Sequence, residues 1–262
     1  MGQRQQDLNK IAAALREAEK TLAPFTPGAI AVERKAGGDP VTEADRQVDE
    51  VLKRILPEAG DGWLSEETVD DRSRLGFDRA WVVDPIDGTK EFVEGLPEWC
   101  VSIGLVEKGE PVAGGIFNPM TGQLVLGSVE TGVTLNGEPI QISRRDSLQH
   151  AKVLASRSEV RRGEWDAFKG RGYEIEASGS VAFKLALVAA GLADATWTLV
   201  PKNEWDVVAG VALIRAAGGW AEVLDDPDRQ FNRKDPLMAG LIASGPHLEG
   251  PIRAEIAARR TS

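Results

Sequence analysis

The sequence predicts a layered α+β / α/β sandwich, in which an antiparallel sheet flanked by helices is joined to a smaller alternating α/β half. Three observations predict it. Two stretches of helical apolar spacing precede Pro57. Residues 81–142 read as consecutive short strands with tight turns. Beyond about Asp146, strand and helix patterns alternate again. The 262 residues suffice for one large domain or two closely joined smaller ones. The change of pattern divides them into an N-terminal α+β half, residues 1–145, and a C-terminal α/β half, residues 146–262, that completes the site.

In chain order, Leu8, Ile11, Ala12, Leu15 and Leu22 recur at helical spacing and open the chain with an amphipathic helix. A second helix follows Asp39-Pro40. Thr42 can cap it, Asp45 three residues on completes a capping-box pair, and Val48, Val51, Leu52, Ile55 and Leu56 form its apolar stripe until Pro57 and Gly60 end it. Trp81-Val82-Val83 reads as a short buried strand. Residues 101–106, 112–117, 123–127 and 133–142 read as further strands. Turn chemistry at Lys108-Gly109-Glu110, Asn118-Pro119-Met120-Thr121-Gly122 and Asn136-Gly137 joins them, so the sheet is expected to be mostly antiparallel. In the second half, residues 153–155, 221–224 and 238–243 read as strands. Residues 181–190 and 207–217 read as helices, the latter stopped by Gly218-Gly219, and an amphipathic helix follows Pro246.

The chain is 42% hydrophobic and 27% charged, ordinary for a soluble globular protein. Residues 1–20 are polar and charged, without the apolar core of a secretory signal, and no apolar run approaches the ~20 residues that cross a bilayer. No membrane association is expected. The lone cysteine, Cys100, leaves no internal disulfide and suits a cytoplasmic location. A net charge of −10, from 41 acidic and 31 basic residues, repels polyanions, which argues against a nucleic-acid polymer as partner. A small anion remains compatible where a metal ion reverses the local charge.

The most informative stretch is Trp81-Val82-Val83-Asp84-Pro85-Ile86-Asp87-Gly88-Thr89-Lys90-Glu91-Phe92. A buried strand ends at Asp84, Pro85 stiffens the exit, and Gly88 allows a tight turn before Thr89 opens a helix. Two carboxylates three residues apart on a rigid turn can share cations, with the Ile86 carbonyl as a further oxygen ligand. Magnesium takes such hard oxygens, and a pair of ions about 3.5–4 Å apart can activate a water and stabilise a leaving oxygen. Clustered carboxylates raise each other's pKa, a penalty that cations remove. Helix starts at Gly88-Thr89 and Gly179-Ser180 offer backbone N–H groups to phosphate oxygens. Each group also has an ordinary use: a turn at Asp87-Gly88, a solvated turn at Glu66-Glu67, a helix N-cap at Asp206, a capping box at Asp45 and a surface charge at Arg157.

Together these residues resemble a known pattern. Asp-Pro-Ile-Asp-Gly-Thr at 84–89, the upstream Ser65-Glu66-Glu67 and Trp205-Asp206-Val207-Val208-Ala209-Gly210 resemble the three signatures of the inositol monophosphatase superfamily, in the same order over residues 8–244. That resemblance implies a sugar-phosphatase-like fold and a lithium-sensitive, magnesium-dependent phosphomonoesterase that uses metal-activated water. By similarity, Glu66, Asp84 and the Ile86 carbonyl would hold one magnesium. Asp84, Asp87 and Asp206 would hold a second, and a third, weaker ion would lie near Glu66. Glu66 is taken as the ligand, with Glu67 nearby. Thr89 and Asp45 resemble the hydroxyl–carboxylate pair that orients the attacking water, and Glu66 joins them in the catalytic set. Substrate contacts are expected from Asp84, Gly88, Thr89, Lys90, Arg157, Gly179, Ser180 and Asp206, and the resemblance also allows a homodimer.

Thr89-Lys90-Glu91-Phe92 stands where inositol phosphatases carry Thr-Thr-Asn-Phe. With Asn118-Pro119 and Ser156-Arg157-Ser158 it resembles the 3′(2′),5′-bisphosphate nucleotidases. Adenosine 3′,5′-bisphosphate is therefore the expected substrate, with Arg157 suited to grip a second phosphate bidentately. Lys202-Asn203 departs from that branch. Inositol 1-phosphate is the runner-up, followed by histidinol phosphate and fructose 1,6-bisphosphate. A haloacid-dehalogenase-type phosphatase would place one residue between its two aspartates, whereas Pro85 and Ile86 both separate Asp84 from Asp87. A non-catalytic metal-binding regulator would have no use for the Asp45–Thr89 pair. His150 and His247 read as surface residues, and Cys100 as buried apolar packing.

Overall fold

A computed structural model describes residues 2–34 and 40–259; Asp39, placed by the sequence just before the second helix, lies outside them. The first helix, α1, runs Gln3–Leu22 and buries Leu8, Ile11, Leu15 and Leu22 along with Ala14 and Ala18, while Ala12 stays at the edge of the stripe. Helix α2, Glu43–Ile55, begins with the expected capping box. The Thr42 side chain accepts from the Ala44 N–H at 3.2 Å, and the Asp45 carboxylate accepts the Thr42 N–H at 2.8 Å. Val48 and Leu52 are fully buried, whereas Val51 and Ile55 sit half-buried at its margins.

Both helices cover one face of a seven-stranded sheet. Its strands, in spatial and chain order, are Asp61–Ser65, Arg79–Asp87, Cys100–Glu107, Glu110–Asn118, Gln123–Ser128, Gly132–Leu135 and Glu138–Pro139. Every pairing is antiparallel except the first, which is parallel with Trp63 opposite Trp81. Asp61–Ser65 was legible only as the apolar pair Trp63-Leu64, since a five-residue strand with so few apolar residues carries little periodicity. The expected three-residue strand at Trp81 grows to nine residues and carries both motif aspartates. The expected strand over 133–142 is instead a hairpin turning at Asn136 and Gly137, whose φ values of 52° and 88° are those of a tight primed turn.

The other face of this sheet packs on two helices, α5 (Val181–Ala189) and α6 (Glu204–Ala216), numbered after the short α3 (Thr89–Glu94) and α4 (Arg157–Arg161). Because both faces are covered, the strand core reads as continuous apolar sequence: Trp81 and Val83 join the α1/α2 cluster, Val82 the α5/α6 cluster. Helix α6 lies close enough to the sheet that two strand glycines face its backbone. A Cβ on Gly104 would stand 2.8 Å from the Ala209 nitrogen, and one on Gly114 would stand 2.4 Å from the Ala209 carbonyl oxygen. Gly114→Ala is therefore expected to lower stability by about 2–3 kcal/mol, or roughly 5–10 °C in Tm, by calorimetry. An unchanged Tm would mean that α6 moves freely on the sheet.

Beyond α5 and α6 lies a five-stranded sheet ordered Glu174–Ser178, Lys152–Ser156, Ala195–Thr198, Leu241–Ser244, Trp220–Val223. Its first two pairings are parallel and its last two antiparallel. The expected strand over 238–243 breaks at Gly240 into Leu237–Met238 and Leu241–Ser244. Helix α7, Glu249–Arg259, closes the outer face over Trp165, Phe168 and Trp197. The layers thus run helix, sheet, helix, sheet, helix. Among the described residues no helix is long and apolar enough to cross a membrane.

Candidate active site

The Arg79–Asp87 strand pairs regularly with its antiparallel neighbour as far as Asp84, opposite Ser102. The register then shifts, and Asp87 falls opposite Cys100. This irregularity absorbs Pro85 and lets the Ile86 N–H donate to Asp84 Oδ1 at 3.1 Å. Gly88 follows with φ 95°, and a Cβ there would meet the Trp99 Cβ at 3.0 Å and the Glu98 carbonyl oxygen at 3.1 Å, so glycine is required. Thr89 starts α3 immediately afterwards.

Asp206 arrives from the first turn of α6. The ordinary alternative, an N-cap at Asp206, does not hold: Asn203 has that place, and Asp206, three residues on, accepts the Asn203 N–H through Oδ2 at 2.8 Å. One carboxylate oxygen from each of Asp84, Asp87 and Asp206 lies within 4.8 Å of the others. The hydroxyl of Ser180 donates to Asp87 Oδ2 at 2.7 Å, and the Ala182 N–H donates to the same oxygen at 2.5 Å. The remaining walls of this pocket, about 160 Å³, include Glu66, Ile86, Gly88, Thr89, Lys90 and Glu91. Beside it Thr89 Oγ1 lies 3.1 Å from Asp45 Oδ1 and 3.0 Å from the Ile86 carbonyl oxygen. Asp45 is itself buried and fixed by the Thr42 hydroxyl at 2.6 Å.

Four acids crowded out of water respond as carboxyls must. Burial, and then the charges of Glu66, Asp87 and Asp206, hold Asp84 well above the ordinary carboxylate range. Burial raises Asp87, against the pull of its Ser180 and Ala182 hydrogen bonds. Removal from solvent and the neighbouring Asp87 push Asp206 up to about 8. Burial raises Asp45 against the hydrogen bonds from Thr42 and Thr89. Beside Lys90 on the pocket wall, a buried cation stands near. Lys184 is buried, its Nζ donates to the Ser180 carbonyl at 2.7 Å, and burial brings it down to about 8. Lys90 and a partly neutralised Lys184 do not balance Asp45, Glu66, Asp84, Asp87, Glu91 and Asp206. The donor set, all oxygen and short of positive charge, fits a hard divalent cation such as magnesium.

Several sequence-predicted contacts fall elsewhere. The start of α5 at Gly179-Ser180 is not free for phosphate, because its Ala182 N–H goes to Asp87 and its Phe183 N–H to Ser180 Oγ at 2.9 Å. Asp87 is the anion at that helix start. Arg157 opens α4, and its guanidinium turns to acids of its own chain: Nη2 is paired with Glu98, and Nε lies 3.8 Å from Glu91, without a hydrogen-bond partner. Glu91 and Lys184 belong to the site's surroundings and were missed. Lys184 carried a signal, being the one charge inside the apolar run over 181–190.

The chain has recognisable relatives. A sequence profile described as the inositol monophosphatase family matches residues 4–260. An inositol-1-monophosphatase of Rhizobium meliloti is 32% identical over 237 residues, covering 87% of this chain and 86% of the relative. Among solved structures, an inositol monophosphatase from Anabaena superposes with a TM-score of 0.80 at 25% identity, covering 98% of this chain and 97% of that one. CysQ from Bacteroides thetaiotaomicron, described as a bacterial member of the same family, superposes with a TM-score of 0.74 at 29% identity, covering 92% and 97%.

Proposed function

The chain belongs to the inositol monophosphatase family and is a phosphoric monoester hydrolase, and from that premise we propose that Glu66, Asp84, the Ile86 carbonyl, Asp87 and Asp206 hold the magnesium with which it acts. One observation carries the reading: three carboxylate oxygens within 4.8 Å of one another stand beside the Thr89–Asp45 hydrogen bond. Magnesium, bound there as two or three ions, supplies positive charge to the phosphate oxygens and makes a water easier to deprotonate. The chain's own groups position the reaction. Asp45, anchored by Thr42, accepts a hydrogen bond from the Thr89 hydroxyl and leaves that oxygen's lone pairs for the attacking water, with Glu66 lining the same pocket as Thr89. Gly88, Thr89 and Lys90 border the place of the transferred phosphate, where first-turn N–H groups favour an anion. Positioning and charge then suffice, without a covalent phosphoenzyme. Inhibition by lithium and a cytoplasmic setting belong to the same reading.

Two substrates each have a specific observation behind them. Inositol 1-phosphate is favoured by the name of the Rhizobium relative. Adenosine 3′,5′-bisphosphate is favoured by the Lys90-Glu91-Phe92 string, which resembles the bisphosphate nucleotidases. The test is phosphate release from these two, fructose 1,6-bisphosphate and histidinol phosphate, each with and without magnesium. Release is expected only with magnesium, with one substrate ahead by at least about tenfold in kcat/KM, roughly 1.4 kcal/mol. Binding without release from any of them would leave a regulator in place of an enzyme.

A further inference from the structure

The acidic pocket, at about 160 Å³, is smaller than the roughly 300–1,000 Å³ of a typical small-molecule site. It has room for a phosphate group, and the alcohol part of an ester must lie outside it. Directly adjoining is a cleft of about 580 Å³ that shares Glu66 as a common wall and includes Trp205, the residue before Asp206. Its other walls come from two loops, one carrying Thr68, Asp70 and Arg72, the other Lys234, Asp235 and Pro236.

Two buried ions clamp these loops in place. The Arg74 guanidinium, almost wholly buried, donates to Asp70 at 2.9 and 3.1 Å, to Asn232 Oδ1 at 2.6 Å and to the Arg233 carbonyl at 2.7 Å, tying one loop to the other. The buried Glu204 carboxylate accepts the N–H groups of Asn232 at 2.8 Å and Arg233 at 3.2 Å, and the Arg229 guanidinium at 3.2 Å. Glu204 is the first residue of α6, so the second loop is fixed to the same helical turn that carries Asp206. Arg72 lies two residues from the first clamp and Lys234 one residue beyond the second. Both are exposed, and among the described residues neither is held in an ion pair. Of the acids in the cleft, Asp70 is turned to Arg74, and Asp235 Oδ1 accepts the Leu237 N–H at 3.1 Å. A preorganised cleft with two uncommitted cations and an indole face, opening from a phosphate-sized pocket, suits an anion on the far end of the substrate.

We infer that Arg72 and Lys234 form a subsite for a second phosphate carried on the alcohol part of the substrate. The inference rests on the hydrolase reading and deepens it, favouring bisphosphate esters over simple monophosphates. It also moves the second-phosphate contact away from Arg157, whose Nη2 is paired with Glu98.

The experiment compares wild type, Arg72→Ala, Lys234→Ala, the double variant, Arg72→Lys and Arg157→Ala on adenosine 3′,5′-bisphosphate, fructose 1,6-bisphosphate and inositol 1-phosphate. With whichever bisphosphate is turned over, Arg72→Ala and Lys234→Ala each raise KM roughly tenfold and the double variant roughly fiftyfold or more, while kcat stays within about twofold. Arg72→Lys recovers part of the loss. Inositol 1-phosphate kinetics change less than about twofold. Equal losses on both substrate classes, no loss on either, a loss confined to Arg157→Ala, or a wild type that turns over only the monophosphate would each overturn the subsite. Absence of magnesium-dependent release from every ester by the wild type would instead overturn the hydrolase reading beneath it.

Discussion

Asp84→Asn is expected to lower kcat/KM for the preferred phosphate ester by roughly a thousandfold or more, about 4 kcal/mol, while the protein stays folded. The substitution keeps the shape of the side chain and its Oδ1 acceptor for the Ile86 N–H. It removes one of the three negative charges clustered with Asp87 and Asp206, and with it the anionic oxygen the proposed cation site shares most widely. A charge-assisted ligand is exchanged for a neutral one at the point where charge must be balanced during phosphoryl transfer. Steady-state kinetics with magnesium in excess, alongside circular dichroism, checks this. Turnover within tenfold of wild type would remove Asp84 from the centre of the site.

The second large effect is on stability. Without divalent cations the folded chain confines acids that an unfolded chain would leave in water, so folding is opposed once they ionise. For Asp206 the unfolded carboxyl titrates near 3.8 and the folded one near 8, so between those values the folded state binds more protons. Stability of the metal-free protein therefore falls as pH rises from about 4 to about 8, and Asp84, likewise raised by burial, adds to the fall. Lys184 acts in the opposite sense only above about 8, where the unfolded amine still holds its proton and the folded one has released it. Saturating magnesium cancels the acidic penalty. At a hundred times its Kd it adds about 2.7 kcal/mol, which for a chain of this size is a Tm rise of roughly 5–10 °C at neutral pH. Scanning calorimetry across pH, with EDTA or with magnesium, reads both slopes. Asp84→Asn should raise the metal-free Tm and lose most of the magnesium response. A metal-free Tm that climbs steadily from pH 4 to 8 would contradict the crowding.

What could be read from the sequence was local. Thr42 and Asp45 announce a capping box by spacing alone, and the box is there. The run from Trp81 to Thr89 gives a buried strand, a stiff exit and a glycine turn within nine residues, each with its own steric reason. What could not be read was whatever depends on layers meeting. Ser180 and Ala182 bond to an aspartate more than ninety residues away, because α5 is packed between the two sheets. The spacing that marks a helix start does not say which anion will occupy it. Arg157 was equally opaque, since Glu98 comes to it from the other half of the chain. The parallel Asp61–Ser65 strand owes its place to its neighbour, with little periodicity of its own.

Gly104 and Gly114 set more than a packing distance. They let the backbone of α6 rest on the sheet, and the first turn of that helix carries Asp206 toward aspartates that the sheet itself supplies. The gauge of the carboxylate triangle is thus written in two hydrogens that stand where side chains would otherwise be. A methyl group wedged there would jack the helix outward and spread the triangle from below, without altering a single atom that faces the substrate.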